Sequence, residues 1–171
     1  GFISLSHYNL MPYVLREFQK EYPSVSLGLR EATTDIQLTD LTSGTIDIGF
    51  LLPPVNIIGI NSLLISEESL IAVLPSSHPQ ASKKHAISIK SLASSPFIMT
   101  PRRHAPSLYD GIIRFCEKFK VYPSITQEAI QMQTIVSLVS AEMGISLIPE
   151  SIQKLQRKGV VYKKLKEVTP K

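Results

Sequence analysis

The sequence predicts an α/β protein built as two Rossmann-like lobes joined by crossing strands. Strand-like and helix-like patterns alternate over residues 2–52 and again over residues 97–165 of the 171-residue chain. A long apolar segment, residues 62–74, separates the two series and predicts a strand that bridges the lobes. Hydrophobic residues make up 43% of the chain and charged residues 19%, a composition that suits a globular core.

The first series alternates three strands with two helices. Pro12 fits the first turn of the first helix, and Pro23 stops that helix. Thr34 or Asp35 is predicted to cap the second helix, which Gly44 ends. The predicted elements are strand 2–3, helix 9–21, strand 25–29, a helix with apolar positions Ile36, Leu38 and Leu41, and a buried strand 46–52.

The second series repeats the alternation after a polar loop at residues 76–85. A helical stripe of inward-facing apolar residues runs along residues 109–120, and Gly144 and Gly159 stop the helices that precede them. Parallel strands covered by helices are expected from this order. The predicted elements are a short helix 87–93, strand 97–100, helix 109–120, strand 124–128, helix 132–143, strand 145–148, helix 150–158 and strand 160–165.

The formal net charge of +4 is concentrated near the end of the chain. Residues 1–149 contain 11 Lys or Arg and 12 Asp or Glu, which gives a net charge of −1. Residues 150–171 contain seven Lys or Arg and two Asp or Glu, which gives +5. A basic tail of this kind is usually a solvated face, and the body shows no clear basic face of the kind that binds nucleic acid.

The single cysteine, Cys116, is predicted to be a buried, inert thiol, and no apolar run is long enough to span a membrane. The abrupt start at Gly1 suggests a piece excised from a longer protein.

Three polar loops follow predicted strands, at residues 4–7, 32–35 and 100–104. The carboxyl ends of parallel strands are where small ligands bind in open α/β sheets. Hydroxyl groups and free helix N–H groups there suit an anion, above all a carboxylate, and an arginine adds a bidentate contact. The alternative is ordinary turn and cap chemistry, with the arginines pointing into water. The candidate ligand-binding residues in these loops are Ser4, Ser6, His7, Thr33, Thr34, Thr100, Arg102 and Arg103.

Signatures of enzymes are missing from the sequence. No nucleophile elbow, phosphate-binding loop, dinucleotide fingerprint or zinc-protease motif is present. Glu67 and Glu68 are adjacent strand residues that point to opposite faces, which makes them a poor acid–base pair. His78 and His85 lie in a polar loop without metal-ligand spacing and are predicted to be solvated. We therefore expect a protein that senses a ligand, with no catalytic residues, metal or cofactor.

Four segments together resemble the effector-binding domain of a LysR-type transcriptional regulator. They occur in the family's order and spacing over nearly the whole chain: LMPYVLREFQKEYPSVSLGLRE, LTSGTIDIGFLLPP, IAVLPSSHP and SLVSAEMGISLIPES. The resemblance is nearest the branch that senses muconate and benzoate. It implies a type 2 periplasmic-binding-protein-like fold and a small effector, of carboxylate type, that binds between the lobes to control DNA binding and transcription.

The resemblance also implies which residues contact the effector. Leu5 stands where relatives commonly carry a hydroxyl residue, so Ser4 or Ser6 is expected to substitute for it. Arg102 and Arg103 replace uncharged positions of some relatives, which suggests a more acidic effector. Carried over by position, the contacts fall on Ser4, Leu5, Ser6, Thr34, Pro106, Ser107, Leu108 and Gln133.

The resemblance further implies a domain plan and a set of partners. Residues 1–67 would form lobe I, without its C-terminal return strand and helix, and residues 68–171 would form lobe II. DNA would be bound only through an N-terminal winged helix-turn-helix that this chain lacks. A homodimer is expected through helices 10–22 and 109–120, a homotetramer in the full-length cytoplasmic protein, and RNA polymerase is a further candidate partner. The alternative function is a periplasmic-type solute-binding protein for a small anion, which shares the two-lobe fold.

Overall fold

The computed structural model describes residues 1–3, 11–53, 55 and 57–170 of the chain. Contacts within the chain divide it into two compact units, unit 1 (Gly1–Leu64) and unit 2 (Ile65–Lys171). The division lies three residues before the predicted lobe boundary. Each unit has its own arrangement of helices and strand segments, as the two alternating series predict.

Unit 1 is organised around the short segment at the start of the chain. The N–H of Phe2 donates to the carbonyl of Arg30 at 3.0 Å, and the N–H of Ile3 donates to the carbonyl of Phe50 at 3.1 Å. Both pairings are parallel, but each is a single bridge rather than a continuous ladder. Among the described residues, the predicted strands 25–29 and 46–52 form no continuous ladder. The bridges fall at Glu31, just past the first strand, and at Phe50, and Ile48 is 65% exposed instead of buried.

Two helices flank these segments in the described part of unit 1. Helix α1 (Met11–Glu21) lies within the predicted helix, whose first residues fall outside the described ones. Helix α2 (Thr34–Thr42) ends where Gly44 adopts a φ of 72°, a left-handed conformation that glycine accepts without strain.

The face that α2 buries differs from the predicted apolar face. Gln37 is completely buried, whereas Ile36, predicted to be an apolar inward position, is 44% exposed. The reason is hydrogen bonding, because the Gln37 Nε2 group donates to the carbonyls of Ala32 at 2.8 Å and Phe50 at 3.3 Å. The amide thus ties together two segments whose own ladder is short.

Unit 2 contains the more regular sheet structure. Its described strands are β1 (Leu70–Pro75), β2 (Pro96–Met99), β3 (Ser124–Glu128), β4 (Ser146–Pro149) and β5 (Val160–Lys163). Strands β4, β1 and β5 form one sheet in that order, β2 and β3 form a second, and a bridge between Phe97 and Ile145 joins β2 to the start of the β4 region. The predicted crossing strand 62–74 is regular only in its second half, as β1.

The four strands of the second alternating series run in one direction, as predicted, and the bridging strand β1 runs opposite to them. Strands β2 and β3 are parallel, as is the Phe97–Ile145 bridge, but β1 runs antiparallel to both β4 and β5. Helices α3 (Pro106–Lys118) and α4 (Met132–Ser140) supply the crossovers that parallel neighbours need. The predicted helices 87–93 and 150–158 are only short 3₁₀ helices, Ile89–Leu92 and Glu150–Leu155.

The core of unit 2 lies between this sheet structure and helix α3. Alternate residues of β1 pack there with Phe97, Met99 and the inward face of α3. Cys116 is completely buried in this cluster, as predicted, and burial raises the pKa of its thiol to about 12, with Glu117 adding to the effect. The thiol is therefore protonated and unreactive at neutral pH.

Candidate functional site

The carboxyl end of β2 leads into the predicted ligand-binding loop of unit 2. Thr100 follows β2 directly and is 7% exposed, and its Oγ1 atom is buried without a hydrogen-bond partner. The N–H of Ala129 donates to the carbonyl of Met99 at 3.1 Å, so the loop after β3 starts beside Thr100. The first turn of α3 follows at Pro106, which has no N–H to lose at that position.

Thr100 opens onto a narrow depression between the sheet and the two long helices of unit 2. The depression has no room for a water molecule in this conformation. Ser146, the serine of its lining, donates to the carbonyl of Ile98 at 2.7 Å, so its hydroxyl group is already used. The lining residues are Met99, Thr100, Leu108, Tyr109, Ile112, Met132, Ile135, Ser146 and Leu147. The wall is mostly apolar, with the hydroxyl group of Thr100 uncommitted, and the depression would have to widen to admit a small organic ligand.

The two arginines of the loop are exposed, and both contact neighbouring side chains. Arg102 donates to both carboxylate oxygens of Asp110, from Nε at 2.7 Å and from Nη2 at 2.9 Å. This bidentate hydrogen bond raises the pKa of Arg102 and lowers the pKa of Asp110. Arg103 Nε donates to Nε2 of His104 at 3.0 Å. Asp110 therefore engages two of the five N–H groups of Arg102 and fixes the direction of its side chain.

The helix α4 end of the site differs from the sequence prediction in one residue. Gln133, the predicted lining residue, is exposed, whereas Gln131 holds the N-cap position of α4 and has a buried Oε1 atom without a hydrogen-bond partner. Sequence analysis missed Gln131. The same rule that selected Thr33 and Thr34, a polar residue between a strand end and a helix start, would have found it.

Unit 1 carries a comparable feature at the start of α2. Thr33 holds the N-cap position, but its hydroxyl group makes no cap hydrogen bond, and its Oγ1 atom is buried without a partner. Thr34 Oγ1 accepts from the N–H of Leu52 at 3.3 Å. The expectation that Thr34 or Asp35 caps this helix is therefore wrong, because Thr34 is already in the first turn and binds a neighbouring segment. The other predicted residues of unit 1, Ser4, Leu5, Ser6 and His7, lie outside the described residues.

The prediction that both histidines of the loop at residues 76–85 are solvated is wrong for His78. His78 is half-buried: its Nδ1 atom accepts from the N–H of Gln80 at 3.1 Å, and Nε2 lies 3.1 Å from the hydroxyl of Ser95. Because Nδ1 is an acceptor, the neutral ring carries its proton on Nε2 and donates to Ser95. This tautomer cannot take a proton from Ser95, so the pair is no nucleophile–base couple. His85 is exposed, as predicted.

Two classes of site find no support in the part of the chain that the structure describes. There, no group of three or more His, Cys, Asp or Glu could hold a metal ion. No described helix is both long enough and apolar enough to cross a membrane.

Comparison with protein families gives one match over the whole chain. The model described as "LysR substrate binding domain" matches residues 1–171. The regulator AlsR of Bacillus subtilis is 35% identical over 168 residues, which are 98% of this chain and 55% of AlsR. The regulator CatR of Pseudomonas putida is 32% identical over 162 residues, 95% of this chain and 55% of CatR. The chain thus spans about half the length of these curated relatives.

Solved structures of effector-binding domains share the fold. The BenM effector-binding domain with its effector benzoate is 25% identical, with a TM-score of 0.83 over 99% of this chain and 78% of that one. The effector-binding domain of QuiR in complex with shikimate has a TM-score of 0.87 at 22% identity and covers 100% of this chain and 80% of that one. The fold is therefore the two-lobe, periplasmic-binding-protein-like α/β fold that the sequence predicts.

Proposed function

The chain belongs to the LysR substrate-binding domain family, and we propose that it senses a small carboxylate within a longer transcriptional regulator. The relatives named above are HTH-type transcriptional regulators, and the BenM domain binds benzoate. Since the chain spans about 55% of those regulators, control of DNA binding and transcription is proposed for the whole protein.

The observation that carries the proposal is that two of the buried hydroxyl groups without partners, one in each unit, belong to residues at predicted ligand contacts. Thr33 Oγ1 and Thr100 Oγ1 both follow a strand segment, and both belong to the residues that the sequence selects as ligand contacts. Buried polar groups in native proteins are nearly always hydrogen-bonded, so an unpaired one needs an explanation such as an absent ligand or water. An effector oxygen would give each hydroxyl its missing partner.

The surroundings of the two hydroxyl groups support a carboxylate as the chemical class of the effector. Each lies near the start of a helix, α2 or α3, where free N–H groups and the helix dipole favour an anion. The apolar lining beside Thr100, including Leu108, suits a hydrocarbon ring. A ring-bearing carboxylic acid, such as benzoate or shikimate, combines these features. That one effector contacts residues of both units stays a prediction.

Replacement of each threonine by valine tests the proposal, because valine keeps the shape and removes the hydroxyl group. We expect isothermal titration with benzoate, shikimate and related acids to find a ligand for the unaltered chain. Thr33→Val and Thr100→Val should each weaken that ligand about tenfold or more, since a hydrogen bond to a charged group contributes about 1.5–3 kcal/mol. Without ligand, both variants should melt at the same temperature or higher, because a methyl group replaces an unpaired hydroxyl.

Thr39→Val is the matched control, since Thr39 is an exposed residue of α2 whose hydroxyl bonds to the carbonyl of Asp35 within the helix. It should leave affinity unchanged. Unchanged affinity in both Thr33→Val and Thr100→Val would remove the site assignment. Failure of every acid to bind the unaltered chain would remove the effector class.

We also propose the assembly that the family resemblance implies. In a homodimer, α1 with residues 25–29 of one copy would meet α3 and β3 of the other. Large exposed apolar side chains support this arrangement: Tyr13 on α1 is 61% exposed, Leu29 58%, and Tyr122, between α3 and β3, 73%. A tetrameric, cytoplasmic full-length regulator that contacts RNA polymerase is part of the same proposal.

We propose that the bound effector is not chemically changed. The relatives are regulators rather than enzymes, and the His78–Ser95 pair has the wrong tautomer for nucleophilic catalysis. The alternative of a solute-binding transport protein has no support among the relatives named above, which are regulators.

A further inference from the structure

Five lysines from two distant parts of the sequence lie side by side on unit 2. The segment around Ile87 pairs in parallel with the segment after β5, through a bridge between Ile87 and Leu165. The N–H of Ile87 donates to the carbonyl of Lys164 at 3.0 Å, and the N–H of Lys166 donates to the carbonyl of Ile87 at 3.0 Å. Lys163 Nζ donates to the carbonyl of Lys83. We call Lys83, Lys84, Lys163, Lys164 and Lys166 the lysine patch.

The lysine patch keeps an excess of positive charge. Lys83, Lys84, Lys164 and Lys166 are exposed, and Lys164 has an ion pair with Glu150 at 3.0 Å. Glu167, the other nearby carboxylate, accepts hydrogen bonds from Ser88 Oγ at 2.5 Å and from the N–H of Ile89 at 3.1 Å. Five lysines against these two carboxylates leave a net charge of +3 with His85 neutral.

The composition of the lysine patch favours phosphate groups over a protein partner. Protein interfaces are depleted in lysine and use aromatic or apolar anchors. Here the apolar residues inside the two lysine runs turn inward: Ile87 is 3% exposed, and Leu165 packs against the core. Lysine ammonium groups are compact point charges that suit phosphate oxygens and displace counterions from a nucleic-acid backbone.

We propose that the lysine patch binds the phosphate backbone of duplex DNA, without sequence preference. This goes beyond the proposed function, because it gives the effector-sensing part a DNA contact of its own. The sequence prediction was that DNA is bound only through an N-terminal domain and that the body shows no basic face. The pairing of residues 83–87 with residues 163–166 creates such a face. In a regulator held on its operator, nearby DNA is present at a high effective concentration, so even weak phosphate contacts add to binding.

Salt-dependent binding of the 171-residue chain to a labelled random-sequence duplex tests the proposal. Fluorescence anisotropy should show binding at about 50 mM salt, with log affinity falling linearly as log salt rises. The triple variant Lys83→Gln/Lys84→Gln/Lys166→Gln should bind about tenfold or more weakly. We call the steepness of the fall in log affinity with log salt concentration the salt slope. In the triple variant the salt slope should be smaller by about 2 to 3, close to one for each lost phosphate contact.

The control variant Lys154→Gln/Arg157→Gln/Lys158→Gln removes the same charge from exposed residues just before β5. Lys158 lies in the turn before β5 and Lys163 is the last residue of that strand, which spans about 10 Å at 3.3 Å per residue. The control should keep most of the salt slope.

Equal losses of affinity in both triple variants would show a net-charge effect and overturn the proposal that the lysine patch binds DNA. Absence of DNA binding by a chain that binds poly-glutamate would instead indicate an acidic protein partner and overturn the proposal. Neither outcome depends on effector binding, so the proposed function is tested separately.

Discussion

At the scale of single residues, Gly144 controls the close approach of two segments in unit 2. Its φ is 154°, and a Cβ atom at this position would lie 2.6 Å from the carbonyl oxygen of Pro96. That carbonyl accepts the N–H of Ile145 at 2.8 Å in the link between β2 and the β4 region, so it cannot move away freely. We expect Gly144→Ala to lower the free energy of unfolding by about 2–3 kcal/mol, measured by urea denaturation.

Gly111, in the middle of α3, is the matched control within the same unit. A Cβ there would meet only Pro170, at 3.9 Å, which is ordinary contact. Because alanine is favoured over glycine inside a helix, Gly111→Ala should raise stability by up to about 1 kcal/mol. Equal effects of the two substitutions would contradict a special role for Gly144.

The site residues show what a residue-level pattern can and cannot predict. Strand-end polarity selected Thr33 and Thr100, and both have buried, unpaired hydroxyl groups. This pattern could not show which of Thr33 and Thr34 has the unpaired hydroxyl group. The hydroxyl of Thr34 accepts a hydrogen bond from the N–H of Leu52, 18 residues away in the sequence. The pattern also left open the direction of Arg102, which is held by Asp110 one helical turn into α3.

At the scale of elements, the helices of unit 2 were the most predictable features. Apolar residues at helical spacing located α3 and α4 to within a few residues, because one face of each helix packs on a large core. In unit 1, helix α2 lies where the sequence predicts it but buries a different residue, and the predicted buried strand 46–52 did not form as such. There Gln37 takes the inward position as a hydrogen-bonding group, and Phe50 pairs at only one point.

The exposed apolar residues of α1 and its following segment yield an element-scale prediction about assembly. Leu29→Glu and Tyr122→Glu should each weaken self-association about tenfold or more, because they place a charge in the proposed apolar contact between copies. Sedimentation equilibrium at several protein concentrations measures the dissociation constant.

Val168→Glu is the control for these two substitutions, since Val168 is 91% exposed and lies outside the proposed contact. It should leave the dimer intact. An unaltered chain that stays monomeric at high concentration would rule out the dimer. Equal weakening by Val168→Glu would instead indicate a different contact surface.

At the scale of the whole molecule, stability should fall on acidification. Burial lowers the pKa of His78 below 6.5, so the unfolded chain binds a proton more readily than the folded one. Stability is therefore highest above about pH 6.5 and is lost as pH falls through the lowered pKa. Burial acts to raise the pKa of Glu167, but hydrogen bonds from Ser88 and Ile89 outweigh it and lower that pKa below 4.5. The stability that ionised Glu167 contributes to the folded chain is lost at still lower pH, as the carboxylate is protonated.

His78→Asn isolates the histidine part of this dependence, because an asparagine oxygen can accept the Gln80 N–H in place of Nδ1. Between pH 7.5 and 5.5 the variant should lose less stability than the unaltered chain. The difference should be about 0.5 kcal/mol, since the ring is only partly buried and water screens its charge. Urea denaturation at both pH values measures it. Identical losses in the two proteins would show that His78 does not titrate with unfolding.

The sequence by itself determined the α/β class, the family and the positions of the main helices and strands of unit 2. These follow from local spacing of apolar residues, glycines and prolines, and from motifs that occur in a fixed order. Only the tertiary structure decided that β1 runs antiparallel, that the hydroxyl groups of Thr33 and Thr100 are unpaired, and that two lysine runs form one surface. The physical reason is range, because each of these features depends on pairing between segments that lie far apart in the chain, which local patterns do not encode.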